Sequence, residues 1–151
     1  MITKLDRDIS IRVLNGMLQF LNSVQSADAL IDDKLSGFDF GKNRVGYQLG
    51  FLVDSSTRVC NKVRDFGNQF DRNLATISQG EFYEILSDGW IKLPDFFSEA
   101  LDLKKAINNQ SHLPQQVCDA LLEYADTLTR ALLDFNSELD YCIKLLDDEE
   151  N

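Results

Sequence analysis

The sequence predicts an all-α fold, a helical bundle, and three observations carry that prediction. The first is a long apolar stripe between Arg44 and Ser78. Val45, Leu49, Leu52, Val59, Cys60, Val63, Phe66, Phe70, Leu74 and Ile77 recur at steps of three or four, broken at Ser56. At ~1.5 Å per residue this is one face of a helix roughly 50 Å long. The second is a matching stripe over 114–146, made by Val117, Leu121, Tyr124, Leu128, Leu132, Phe135, Leu139, Cys142 and Leu146. The third is negative. Only two prolines occur, Pro94 and Pro114, and few runs alternate strictly between apolar and polar, which disfavours sheets. Stripes of this kind must be buried against partner helices, so the expected architecture is three long helices (about 3–24, 44–78 and 114–146) with a short helical cap at 81–107.

The elements follow in order. Thr3 can cap the first helix, and Asp6 and Asp8 favour its positive N-terminal end. Leu5, Ile9, Val13, Met17, Phe20, Leu21 and Val24 form its buried face, and Asn22, Ser23, Gln25 and Ser26 loosen its end. Asp28 is read as the cap of a short helix from Ala29 to Leu35. The stretch from Ser36 to Asn43 is a loop on composition, with Phe38 and Phe40 tucked inward. Gly46 and Gly50 each cost a helix about 1 kcal/mol against alanine, so a close approach by another helix is expected there. Ser78, Gln79 and Gly80 break the long helix. A short helix follows over 81–87, and Pro94 opens another that runs to about Ile107. Pro114 starts the last helix. The run 147–151 is read as a frayed acidic tail, since negative charge opposes the dipole at a helix C-terminus.

Composition bounds the remaining possibilities. A chain of 151 residues fits one domain, 1–151, with enough length for a real core. Its 44% hydrophobic and 26% charged residues are ordinary for a globular protein. No apolar run approaches the ~18–20 residues of a membrane span, and no signal-peptide core follows Met1, so a cytoplasmic protein is expected. Three cysteines without metal-like spacing agree. Cys60 and Cys142 fall on apolar registers and read as reduced core thiols.

The net charge of −10 is uneven. Ten Asp and Glu lie beyond residue 111 against Arg130 and Lys144, so that segment holds −8 of it. Helix 44–78 carries five basic and three acidic residues, and would attract the last helix modestly if the two lay side by side. Such a protein repels nucleic acid and anionic membranes, so the expected partner is another protein with a basic surface.

No motif carries catalysis. His112 is the only histidine, and Cys118, six residues on, does not make a dyad with it from sequence. Gly37 to Asn43 lacks the Gly-Lys-Ser/Thr ending of a phosphate loop. Asp39-Phe40-Gly41 stands without any other kinase element. The acids of the last helix point away from its apolar stripe, unlike the inward ligands of bundle metal sites. No cofactor, metal or catalytic residue is therefore expected.

The feature that suggests function is the acidic face of the last helix. Asp119, Glu123, Asp126, Asp134 and Glu138 share that face. Tyr83 and Trp90 belong to an aromatic group with Phe82, Phe96 and Phe97, read mainly as core but able to anchor a partner. A second apolar face on the last helix (Cys118, Leu122, Ala125, Leu133, Ile143) implies burial on two sides, by the bundle or by a homodimer. The expected function is a non-enzymatic protein-binding module: an inhibitor, immunity protein or adaptor that sterically occupies a partner's surface. The alternatives are a nucleic-acid mimic of the phage anti-defence type, blocking a basic groove, and an enzyme with a site not recognised from sequence.

Overall fold

The structure, a computed structural model, describes residues 4–73, 84, 86–88, 94–109 and 112–150. It is an all-α bundle, and no strand occurs among the described residues. The elements are α1 (Lys4–Lys34), α2 (Arg44–Asn73), α3 (Phe97–Asn108) and α4 (Gln115–Glu150). Glu84 and Leu86 to Asp88 are also helical, and Leu86 is fully buried.

Helix α1 is longer than the helix expected over 3–24. It runs ten residues past Val24 without a break, and Asp28 lies inside it rather than at a cap. The reason is periodicity. Ala27 and Ile31 continue the stripe of Ile9, Val13, Met17, Phe20 and Val24, and all seven are buried. Asn22, Ser23, Gln25 and Ser26 avoid that stripe, so they do not break the helix. The chain then turns through a loop in which Gly37 and Gly41 take φ of 80° and 60°, values that suit glycine. The Asp39 carboxylate accepts the Gly41 amide at 2.8 Å. Phe38 and Phe40 meet edge to face, 4.8 Å between centroids, and pack against the core as expected.

The Asn43 side chain accepts the Val45 amide at 2.7 Å and so caps α2. Gly46 serves the loop rather than a helix: a Cβ there would stand 2.8 Å from the Phe40 Cβ. A Cβ on Gly50 would meet nothing. At Gly67 it is the end of the Met17 side chain of α1 that occupies the place of a Cβ. The expected end of this helix, 74–78, lies outside the described residues.

Helix α3 begins at Phe97, not at Pro94: Phe96 stands at its N-cap with non-helical backbone, and the Asp95 carboxylate accepts the Phe97 amide at 3.2 Å in the turn just before the helix. Helix α4 begins after Pro114 and remains helical to Glu150, four residues past the expected end at 146 and through most of the acidic run.

The helices alternate in direction. Arg12 pairs with Glu138 and Lys34 with Glu123, so α1 and α4 are antiparallel. α1 packs most closely on α4, α2 on α3, and α3 also on α4; α1 and α2 meet along a narrower strip. The two long helices of opposite charge balance, α2 and α4, are therefore not the main pair. The core runs between all four. Leu52, Leu103, Leu121, Leu128, Leu132 and Leu139 are fully enclosed, and Phe20 stacks on Phe135 at 5.7 Å. Each such side chain contributes about 1.5–3 kcal/mol through burial. Cys60 and Cys142 lie in this core as free thiols, and Cys118 is half-buried.

The gap at Ser56 has a partner. Tyr124 of α4 is buried, and its hydroxyl donates to the Asp28 carboxylate of α1 at 2.6 Å. Ser56, fully buried on α2, lies near the same hydroxyl and donates to the Val53 carbonyl at 2.8 Å. Three helices thus share one polar junction inside an apolar core. Burial, with the hydrogen bond to Asp28 second, pushes the Tyr124 phenol well above its ordinary value.

Candidate protein-interaction surface

Two parts of the surface stand out: the seam between α1 and α4, and the cleft between α2 and α3.

The seam holds most of the acidic residues singled out in the sequence. Glu138 accepts two hydrogen bonds from the Arg12 guanidinium, at 2.6 and 3.2 Å. Arg12 also lies over the Tyr141 ring, 4.5 Å from its centroid. Glu123 accepts from Lys34 at 2.9 Å. Asp126, on the other flank of α4, pairs with Lys104 of α3. Asp119 accepts the Gln115 amide at 2.8 Å. Asp134 is exposed and lines a hollow with Arg12, Gln19 and Glu138. Three of the five acids thus spend their charge on neighbouring helices, a pattern that spacing along one helix cannot reveal. Two hollows lie along the seam, of about 440 and 780 Å³, and share Asn22 and Ser23. Tyr83 and Trp90 lie outside the described residues, while Phe96 is buried and Phe97 packs beside it. On the second apolar face of α4, Ala125 and Ile143 are buried, Cys118 and Leu122 are half-buried, and Leu133 is exposed.

The α2–α3 cleft was not singled out by sequence. Tyr47 and Phe51, one turn apart on α2, are 57% and 56% exposed. Phe51 borders a cleft of about 730 Å³ whose walls include Asp54 and Arg58 from α2 and Glu99 and Asp102 from α3. Among the described residues, Asp54, Glu99 and Asp102 enter no ion pair. Arg58 donates instead to the Ser55 hydroxyl at 3.0 Å. A second hollow of about 560 Å³ shares Ser55 and Arg58 and continues to Asp65, Pro94 and Asp95. One signal was present in the sequence: Tyr47 and Phe51 stand off the α2 stripe, where aromatics have no place in the core.

His112 is exposed in the turn before α4, and Cys118 is half-buried. Among the described residues no group of three or more His, Cys, Asp or Glu is placed to hold a metal ion. Among the same residues no helix is long and apolar enough to cross a membrane. No protein-family model matches the chain, and no curated protein or solved structure matches it.

Proposed function

We propose that this protein is a non-enzymatic binding module, a helical bundle that acts by occupying the surface of a partner protein. The observation that supports the reading most is the α2–α3 face. Two aromatic side chains more than half exposed, beside carboxylates that enter no ion pair among the described residues, combine an apolar anchor with an unspent charge. Aromatic residues dominate binding energy at interfaces, and rim charges set association rate and orientation. The acids of α4 contribute a more diffuse field, with Asp119 and Asp134 outside any ion pair among the described residues. The three free thiols support a reducing, cytoplasmic setting. The partner presents a basic surface, because the chain carries a net charge of −10.

The test is affinity capture from lysate with nuclease added, at low and moderate salt, read by mass spectrometry. A basic protein retained at low salt and weakened by salt is the expected outcome. Retention of this chain alone would overturn the reading. Competition between the captured partner and nucleic acid for one site would point to the mimic alternative.

A further inference from the structure

We propose that the α2–α3 cleft docks a positively charged amphipathic helix of a partner protein, with Tyr47 and Phe51 as apolar anchors and Asp54, Glu99 and Asp102 as its acidic rim. This rests on the binding-module reading and specifies the occupant of its site.

The length of the cleft argues for a helix. Its two hollows meet at Ser55 and Arg58, and together run from Gln48 to Asp65 along α2. At ~1.5 Å per residue this track is roughly 26 Å long, enough for a helical segment of four to five turns. A groove between two helices is a recurrent seat for a third, which lays its apolar face inward. Here the apolar contact is concentrated at one end, where Tyr47 and Phe51 stand clear of the core.

Charge then selects the occupant. The track carries Asp54, Asp65, Asp95, Glu99 and Asp102 against Arg58 and Lys62. The rim acids sit on both walls, so a bound helix would meet carboxylates on its two flanks. Lysines or arginines flanking an apolar stripe satisfy that arrangement, and an acidic helix is repelled by it. The contrast with α4 sharpens the choice. There, matching cations already come from Arg12, Lys34 and Lys104 of the chain itself.

The test uses the full chain and two labelled 18-residue peptides, one built from Lys and Leu with helical periodicity and one in which Glu replaces every Lys. Binding is read by fluorescence anisotropy, and the site by amide shifts. The Lys/Leu peptide should bind, weaken with salt and shift Tyr47, Phe51 and Glu99, while the Glu/Leu peptide should not bind. Phe51→Ala, and separately the triple variant D54N/E99Q/D102N, should each weaken binding at least tenfold with an unchanged circular dichroism spectrum. Glu123→Gln should leave it unchanged. Absent binding, binding indifferent to both cleft variants, shifts confined to α4, or a self-associated dimer that dissolves with Phe51→Ala would each overturn the proposal. A partner captured from lysate that binds the cleft variants as well as the parent chain would overturn the cleft while leaving the binding-module reading intact. Capture of nothing but the chain itself would overturn that reading.

Discussion

Along α4, Glu123, Asp126 and Glu138 each hold a cation from a neighbouring helix, whereas Asp54, Glu99 and Asp102 across the α2–α3 cleft hold none among the described residues. The side chains are chemically alike, and their surroundings set them apart. On α4 the negative charge helps fasten one helix to the next. In the cleft it faces solvent beside two exposed aromatic rings. A count of acids along a helix measures neither of these states. The availability of a charge to a partner depends on what the other helices place opposite it.

The difference can be broken most directly through affinity. D54N/E99Q/D102N should lower the affinity of a basic partner at least tenfold and flatten its salt dependence, with little change in folding stability. Glu123→Gln and Glu138→Gln should leave that affinity unchanged and lower folding stability slightly. Equal losses from both sets would erase the distinction.

The next effect is on stability. Tyr124→Phe removes the donor to Asp28 and should cost about 1–2 kcal/mol in urea denaturation, since a half-buried carboxylate loses its partner. The seam ion pairs rank lower. Glu138→Gln and Glu123→Gln should each cost no more than about 1 kcal/mol, a loss that vanishes in 1 M salt. If the loss persists there, the pairs act through packing rather than charge.

Smaller still is a glycine pair. Gly50→Ala should raise stability by up to about 1 kcal/mol, because nothing opposes the added methyl. Gly46→Ala should gain less or destabilise, because the methyl presses on the Phe40 Cβ. Matched melting temperatures for the two variants would remove the loop contact from the account.

Near neutral pH the thiols should add no pH dependence to stability. Burial pushes the Cys142 thiol up to about 11. Its proton is held more tightly in the folded state than in the unfolded chain, where the value is near 8.5. This contribution to stability is complete below that unfolded value and is lost as pH rises from there through about 11. Cys60 is raised in the same direction, also by burial. Iodoacetamide at pH 8.5 should therefore modify half-buried Cys118 before either of them. Equal rates by peptide mass mapping would contradict the burial.

The all-α class and the three long helices were legible in the sequence because apolar residues at steps of three and four report burial directly. Errors arose where that signal was set aside in favour of composition. Asn22, Ser23 and Ser26 suggested a break in α1, yet Ala27 and Ile31 continue its stripe and keep the helix intact. Pro94 suggested a helix start, yet the backbone is still non-helical at Phe96 and the helix opens at Phe97. The site was less legible. The exposure of Tyr47 and Phe51 could have been read from their position off the α2 stripe. The ion pairs of Glu123 and Glu138 could not, because they join positions 89 and 126 residues apart in the chain.

The junction of Asp28, Ser56 and Tyr124 has a consequence for the alignment of the helices. Apolar stripes with a repeat near one turn are nearly indifferent to sliding. If α4 moved along its neighbours by ~5.4 Å, Leu121 or Leu128 would take the level of Tyr124, and aliphatic contact would largely be restored. The polar groups would not recover in the same way. Tyr124 would carry its hydroxyl into an aliphatic layer, and Asp28 would lose its donor, at about 1–3 kcal/mol for each group left unsatisfied. The interruption in the α2 stripe at Ser56 therefore works as a key: it leaves the depth of the core almost unchanged and fixes which turn of each rod stands beside which.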